Sequence, residues 1–343
     1  MDFDEDFPDI DRVMNDNTLL AEYADAQAML ARVEERQRLS PVRRPWKIRC
    51  FIAERQALAW VDATAIDADA FTVDGRGRIG GADFDLTHWR RAVGAPVTLD
   101  ILRTNAIGLL DWLGVEDGST AATPWAAPSS PLADVRLRVE AWQEAMAALP
   151  PSPPLLHGAH MAQSWWARAP IGRGDAVAGF LIGDRHGPGR SAASSGGLVA
   201  IGFQLSGAAW KVATPARFDR LWLQAMTLGA RHHLDQEQRL RGYAERAATQ
   251  IAARRRPGRL REVIMLAMAH PHIGSRLVAD RLDITSAGAI KLLTIATEAG
   301  LLVERSGQAS YRSYAIPVSN LPSPSVAPDP LAVPTARDFW TEG

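Results

Sequence analysis

Residues 257–317 read PGRLREVIMLAMAHPHIGSRLVADRLDITSAGAIKLLTIATEAGLLVERSGQASYRSYAIP. Apolar residues recur here every three or four positions, a pattern that predicts three helices. The predicted helices cover residues 259–269, 276–282 and 286–299. Ser275 and Thr285 carry hydroxyls that can cap the second and third helices, and Gly300 suits the left-handed position that follows the third.

The second and third predicted helices are spaced as in a helix-turn-helix. In that motif a small residue lets the two helices approach, apolar residues hold the turn, and a hydroxyl caps the recognition helix. The residues at these positions are Ala279, Leu282, Ile284, Thr285, Ala289, Ile290 and Leu293. Asp283 stands where a glycine is common. The residues expected to be buried in the third helix are Ile290, Leu293 and Ile295.

Two short strands are predicted after the third helix. They cover residues 301–304 and 310–315, with Ser306-Gly307-Gln308 as the turn between them. This hairpin resembles the wing of winged-helix proteins. Residues 254–318 are therefore predicted to form a winged helix-turn-helix, because helix spacing, capping and the hairpin agree.

The same region is basic. Residues 254–318 carry ten basic and five acidic side chains, in a chain whose formal net charge is −1. A positive patch of this kind releases counterions from nucleic-acid phosphates. The expected base-reading face is small and almost uncharged, with no Arg or Asn to bind guanine or adenine through two hydrogen bonds. Its members are Ser286, Ala287, Gly288, Lys291 and Thr294.

We therefore predict that the C-terminal unit binds double-stranded DNA. Ser286, Lys291 and Thr294 are expected to face the groove. The phosphates are assigned to Arg305 and Arg312 on the wing and to Arg254, Arg255 and Arg256 in the hinge before it. The alternative is a winged helix that contacts protein or forms a homodimer.

Length and composition indicate a two-domain cytoplasmic protein. The chain has 343 residues, of which 47% are apolar, enough for a substantial core. Cys50 is the only cysteine, which excludes a disulfide framework and a thiolate zinc site. The sequence shows neither a signal peptide nor a long uncharged apolar run, so no membrane partner is expected. The frequent use of Arg and Ala is typical of a GC-rich bacterial genome.

The predicted organisation has four parts. An acidic disordered tail covers residues 1–16, and a helical domain without an assigned role covers 17–253. The winged helix follows at 254–318, and a Pro-rich disordered tail ends the chain at 319–343.

Within the helical domain, seven helices and one turn or hairpin are predicted. The helices are expected at 18–37, 46–62, 85–93, 99–113, 134–148, 155–166 and 218–249, and the hairpin at 71–79. Residues 177–182 suit either a helix or a strand. The basic residues around Trp46, which are Arg43, Arg44, Lys47 and Arg49, suit either a nucleic-acid contact or an amphipathic segment whose arginine stems pack on protein.

Two places in the helical domain carry residues suited to chemistry. His157 and His160 are three positions apart, which on a helix brings both near one face and suits a metal. No third ligand is near in sequence, so ordinary histidines are the preferred interpretation. The run Gly183-Asp184-Arg185-His186-Gly187-Pro188-Gly189-Arg190 can form a phosphate-binding loop, but it matches neither a Walker loop nor a dinucleotide-binding glycine pattern and is expected to be a flexible loop.

The chain resembles a family of alphaproteobacterial proteins, many of them plasmid-borne, that join a helical domain of unknown function to a C-terminal helix-turn-helix. The resemblance spans nearly the whole chain through loose motifs. These are Leu39-Ser40-Pro41-Val42 with Trp46 and Arg49, residues 57–61, 106–112 and 217–234, Gly300-Leu301-Leu302, and Tyr311-Arg312.

The order of parts also resembles Fic proteins, which transfer a nucleotide monophosphate. That resemblance implies a catalytic base at His186 and phosphate contacts from Gly187, Gly189 and Arg190. The acidic metal ligand and the asparagine of the Fic loop are absent here, and this chemistry needs base, magnesium ligand and anion nest together. The resemblance therefore implies a Fic-like fold without the activity.

Together these observations predict a mostly α-helical protein, with a Fic-like helical bundle followed by a C-terminal winged helix-turn-helix. The expected function is transcriptional regulation through DNA binding, with double-stranded DNA and a second copy of the chain as partners. No enzyme activity, cofactor or metal is expected. The alternatives are a degenerate Fic-like nucleotidyl transferase and a protein-interaction module.

Overall fold

The computed structural model describes residues 10–63, 66, 71–73, 79–80, 91–117, 127–190, 193–255, 258–305 and 312–317. These residues are mostly α-helical, as the sequence predicts. The chain divides into two compact units, each built from segments distant in sequence. The first unit is Met1–Glu34, Ala57–Ala65 and Asp83–His232, and the second is Glu35–Gln56, Ile66–Ala82 and His233–Gly343.

Nine helices and one strand pair precede the basic C-terminal region in the described part of the chain. The helices are α1 (Ile10–Leu39), α2 (Arg43–Val61), α3 (Leu99–Thr104), α4 (Ala106–Leu113), α5 (Leu132–Ala147), α6 (Pro154–Arg168), α7 (Asp175–His186), α8 (Leu198–Ser206) and α9 (Pro215–Ala252). The strands β1 (Thr72–Val73) and β2 (Ile79–Gly80) pair antiparallel, which confirms the predicted hairpin.

Two boundaries differ from the prediction. Helix α1 begins at Ile10, so residues 10–16 are helical where a disordered tail was expected, and residues 1–9 lie outside the described residues. In the sequence, Ile10, Val13 and Met14 already have helical spacing, which the acidic residues among them obscured. The helix predicted over 99–113 is two helices, because Asn105 leaves the helical conformation and its side chain accepts a hydrogen bond from Gly108 N at 2.8 Å.

Small residues let α6 and α7 pack closely in the first unit. A Cβ atom added at Gly183 would lie 2.6 Å from the Gly158 carbonyl oxygen, and one added at Gly179 would lie 2.8 Å from the Ala162 oxygen. Residues 158 and 162, like 179 and 183, are one helical turn apart, so the contact runs along both helices. The glycines of this region therefore serve helix packing, and not the loop that their frequency suggested.

An aromatic cluster fills the core between α7, α8 and the first part of α9. Its members are Phe180, Phe203, Trp210, Phe218 and Trp222, with ring centroids 5.1–6.4 Å apart in the recorded pairs. All five side chains are buried. Clustered rings of this size contribute both buried apolar area and edge-to-face attraction.

The second unit contains the predicted C-terminal elements. They are α10 (Leu260–Ala269), β3 (Ile273–Gly274), α11 (Ser275–Leu282), α12 (Ser286–Glu298), β4 (Val303–Glu304) and β5 (Ser313–Ala315). The strands form an antiparallel sheet in the order β3-β5-β4, in which Ile273 pairs with Tyr314 and Val303 pairs with Ala315. The three helices and two of the strands were predicted; β3 was not, because two residues are too few to show a period.

Arg49 connects α2 to the end of α10 inside the second unit. Its Nε donates to the Met268 oxygen at 2.6 Å, and its Nη2 donates to the oxygens of Ala267 and His270 at 3.1 and 2.8 Å. The last carbonyls of a helix lack partners within the helix, and a cation there also suits the helix dipole. Burial lowers the pKa of Arg49 to about 10, so the guanidinium remains charged at neutral pH. The basic residues around Trp46 were interpreted either as a nucleic-acid contact or as arginines that pack on protein. The contacts of Arg49 support the second interpretation.

Helix α9 makes the second set of connections in this unit. The Tyr243 hydroxyl donates to the Leu301 oxygen at 2.8 Å, just after α12. Glu54 on α2 and His233 on α9 form a fully buried contact of 2.9 Å, and the Trp46 indole donates to the His233 oxygen at 2.8 Å. The unit that holds the C-terminal helices therefore also includes residues 35–56 and 233–253, which the sequence analysis had assigned to the preceding domain.

We expect Gly183→Ala to destabilise the first unit by about 1–3 kcal/mol, because its new methyl group meets backbone and the Trp222 ring. Gly242→Ala is the matched control. It lies within α9 with only the Arg246 guanidinium, at 3.6 Å, near the new Cβ, and it is expected to stabilise by up to about 1 kcal/mol. Chemical denaturation measures the free energy of unfolding of each variant. Equal changes in the two variants would contradict the close packing of α6 and α7.

We expect Arg49→Met to lower the free energy of unfolding by about 3 kcal/mol, because it leaves three carbonyls at the end of α10 without their donors. Arg49→Lys should recover only part of this loss, since one ammonium group cannot reproduce the planar fork. Arg43→Met, at an exposed site on the same helix, is the control and should change stability by less than about 0.5 kcal/mol. Equal stability of the Arg49 and Arg43 variants would refute the role of Arg49.

The buried side chain of His270 makes the second unit sensitive to acid. Burial, with added repulsion from Arg281 and Arg49, lowers the pKa of His270 to about 4. Between pH 6.5 and 4 the unfolded chain binds a proton that the folded chain does not, so stability falls as the pH falls through this window. We expect His270→Gln to flatten this part of the profile, by an amount on the order of 3 kcal/mol between pH 7 and pH 4. Urea unfolding measures the stability of the unmodified protein and of the His270→Gln variant at each pH. Parallel profiles of stability against pH would contradict the role of His270.

Candidate nucleic-acid interface

Helix α12 presents one side to the core of the second unit and the other to solvent. Thr285 caps it, since its Oγ1 accepts a hydrogen bond from Gly288 N at 3.1 Å, which confirms the predicted cap. Ala289, Leu293 and Ala296 are buried at spacings of four and three residues. The exposed residues of the helix are Ser286, Ala287, Ile290, Lys291, Thr294 and Glu298. The three residues predicted to face a groove, Ser286, Lys291 and Thr294, are thus brought together on one exposed face.

The turn before α12 is fixed by backbone and arginine contacts. Asp283 adopts the left-handed conformation, with a φ of 48°, which explains why a glycine is common at this position. Ile284 N donates to the Ala279 oxygen at 3.1 Å, and the Arg259 guanidinium donates to the Leu282 oxygen. Gly300, with a φ of 67°, ends the region of α12 as predicted.

The cap predicted at Ser275 is wrong. The residue that precedes α11 is Gly274, and Ser275 is the first residue of the helix. The reason is the unpredicted strand β3: Gly274 is extended, with φ −119° and ψ 169°, and pairs with Ser313, so the helix starts immediately after the strand.

Ile290 was predicted to be buried, but 54% of its side chain is exposed. The buried stripe of α12 passes through Ala289, Leu293 and Ala296, and Ile290 lies about 100° around the helix from Ala289, toward the exposed side. An apolar side chain therefore lies beside Lys291 on the exposed face. The exposure of Ile290 could have been predicted from the sequence only by assigning the alanines, and not the isoleucine, to the buried positions of the helix.

The polar side chains of the exposed face differ in the hydrogen bonds that they can still form with a ligand. The Thr294 hydroxyl donates to the Ile290 carbonyl oxygen at 3.0 Å, so toward a ligand it can only accept. Lys291 is exposed and forms no ion pair within the described residues. Its ammonium group is thus the one strong donor of this face in the described part of α12.

The two arginines assigned to the wing have different surroundings. Arg305 is exposed, follows β4, and forms no ion pair in the described part of the chain; its backbone N–H donates to the Ser313 oxygen at 2.8 Å. Arg312 lies 3.6 Å from the Glu304 carboxylate, in a pair that is exposed at both ends. The turn predicted at Ser306-Gly307-Gln308 lies outside the described residues.

The remaining cations are only partly available. Arg254 and Arg255 follow α9, and Arg255 is exposed, whereas Arg256 lies outside the described residues. Arg259 and Arg276 form ion pairs with Glu262 and Asp280 at 3.6 and 4.0 Å. The number of cations that this region can offer to a phosphate is therefore smaller than the ten that its sequence contains.

The run from Gly183 to Arg190 is not the flexible loop that was expected. Its first part is the end of α7, and Pro188–Arg190 form a short 3-10 helix. The side chain of His186 is only 2% exposed, and Asp184 is buried as well. The expectation failed because Gly183 serves the close packing of α6 and α7.

His157 and His160 make separate contacts on α6. The His157 ring lies edge-on to the His186 ring, with centroids 4.9 Å apart, whereas His160 Nε2 lies 3.2 Å from Asp219 Oδ2. The hydrogen bond in which the Asp219 carboxylate is the acceptor raises the pKa of His160. Among the described residues no group of three or more His, Cys, Asp or Glu side chains is arranged to hold a metal ion.

Comparison with protein-family models finds no match to this chain, and a search of curated proteins finds no similar sequence. Within the residues that the structure describes, every helix is too short or too polar to cross a membrane.

Proposed function

We propose that residues 258–317 form a winged helix-turn-helix that binds duplex DNA, with α12 as the recognition helix. The observation that carries the proposal is the exposed face of α12, which follows a capped three-residue turn after α11. The element order α10-β3-α11-α12-β4-β5 and the sheet order β3-β5-β4 support it, because a winged helix needs a short strand between its first two helices and a hairpin after its third.

The side chains of the exposed face suit phosphate contacts better than base reading. Lys291 supplies a point charge that can bind a phosphate or a guanine edge, and Ser286 supplies a small hydroxyl. Ile290 and Ala287 can contact only thymine methyl groups among the base edges. We therefore propose moderate sequence preference, with most of the affinity from Lys291, Arg305 and the arginines after α9.

A role in transcriptional regulation extends this proposal, with homodimerisation as the means of binding two half-sites. Both were expected from the sequence and stay predictions. Nucleotidyl transfer is not proposed, because a catalytic base must reach its substrate and His186 is 2% exposed.

A protein-interaction module is the second candidate, and Ile290 is the observation that favours it. An exposed branched apolar side chain on a helix face can anchor a partner protein. The two functions differ in their response to salt, since phosphate binding weakens steeply with salt and apolar docking does not.

The proposal is tested with the full chain, because Arg49 and Tyr243 contact the C-terminal elements from outside residues 258–317. Binding to a mixed-sequence duplex is measured by fluorescence anisotropy between 50 and 200 mM salt. We expect Arg305→Ala to weaken binding to all sequences and to reduce the slope of log K against log salt by about 0.9. Replacement of Arg254, Arg255 and Arg256 together by Ala should reduce the same slope by up to about 2.7.

Arg103→Ala is the matched control, since Arg103 is an exposed arginine on α3 in the first unit. Its slope should equal that of the unmodified protein. Slopes that are equal in all variants would remove the phosphate assignments, and no binding of the duplex even at 50 mM salt would favour the protein-interaction module.

A further inference from the structure

The first unit contains a groove that the proposed DNA contacts do not involve. Its volume is about 720 Å³, and it lies among the end of α5, the outer side of α6 and the segment that leads into α9. Sites for small molecules usually have volumes of 300–1,000 Å³ and mostly apolar walls. The size of this groove is therefore suited to a small organic molecule.

Apolar residues form most of the groove wall. Leu149, Pro150 and Trp166 are among them, and 39% of the Leu149 side chain is exposed. The Trp166 ring packs against the buried Trp210 ring, with centroids 5.1 Å apart and planes at 59°. This contact fixes the position of the Trp166 ring, so that part of the wall is formed in advance of any ligand.

The charged side chains that line the groove are all basic. They are Arg168 and Lys211, and no Asp or Glu is among the lining residues. Lys211 Nζ lies 3.5 Å from the Val61 carbonyl oxygen, and Arg168 donates to Ser164, so both cations contact only neutral groups. Neither forms an ion pair within the described residues. His160 also lines the groove, and its Nε2 lies 3.2 Å from the Asp219 carboxylate.

We propose that this groove binds a small carboxylic acid with an apolar body. The apolar body would pack on the wall that includes Trp166, and the carboxylate would accept hydrogen bonds from Arg168 and Lys211. A guanidinium group suits a carboxylate because its two parallel N–H donors match the two carboxylate oxygens. This site does not depend on DNA binding by the second unit.

The probe for the test is 1-naphthoate, and 1-naphthylmethanol is its neutral counterpart of similar shape. Isothermal titration calorimetry of the full chain should show that 1-naphthoate binds more tightly than the alcohol by tenfold or more. Arg168→Gln and Lys211→Gln should each weaken 1-naphthoate binding about tenfold and leave the alcohol unaffected. The control Arg103→Gln, an exposed arginine outside the groove, should change neither affinity.

A second variant tests the place of binding separately from the charge. Ala167 is an exposed residue that lines the groove, so Ala167→Trp should fill it and abolish binding of both probes. Thermal unfolding of each variant confirms that it folds. Equal affinity for the acid and the alcohol, unchanged 1-naphthoate binding in both glutamine variants, or no binding of 1-naphthoate by the unmodified protein would each overturn the proposal.

Discussion

The second unit depends on the hydrogen bonds that the Arg49 guanidinium donates. It binds three carbonyl oxygens at the end of α10 and so makes a residue near the N-terminus part of the C-terminal unit. Beside it, Ile48, Ile52 and Phe71 form a small apolar cluster to which Ala269 adds. A charged group that is partly buried requires full hydrogen bonding, and the helix end supplies acceptors that would otherwise have none. One contact meets both needs.

The basic residues of this chain serve two purposes that the sequence does not distinguish. Arg49 and Arg259 donate to helix carbonyls within the second unit, and Arg276 and Arg312 pair with acids. Lys291 and Arg305 are exposed and form no ion pair in the described residues. Proposed DNA binding therefore rests on few cations, and the small side chains of α12 add little base recognition. In the first unit, Arg168 and Lys211 also form no ion pair within the described residues, and they lie beside apolar walls. The anion proposed for that groove is therefore a small carboxylate with an apolar body, and not a nucleic-acid phosphate.

Local signals in the sequence predicted most of the fold. Most helices of both units, the Thr285 cap, the hairpin at 71–79 and the strands around 303 and 313 follow from spacing and capping over a few residues. Helix α7 was left open between helix and strand, α8 was not predicted, and of the helix expected at 85–93 the structure describes only residues 91–93, which form a turn. Gly183 appeared to belong to a loop because its close neighbour Gly158 lies 25 positions earlier, and Ile290 appeared buried because it is apolar, although alanines hold the buried positions of α12. Of the candidate interface, the residues of α12 were predictable, whereas the ion pairs that occupy Arg276 and Arg312 depend on side-chain geometry.

We propose that the second unit binds duplex DNA through α12 and nearby cations. The most direct measurement is retention of a random duplex pool by the full-length protein at 50 and 200 mM salt, followed by sequencing of the retained fraction. We expect strong retention at low salt that falls steeply at high salt, with enrichment confined to a few base pairs, since α12 offers one strong donor. No retention even at 50 mM salt would contradict it and would leave α12, with Ile290 exposed, as a surface for protein.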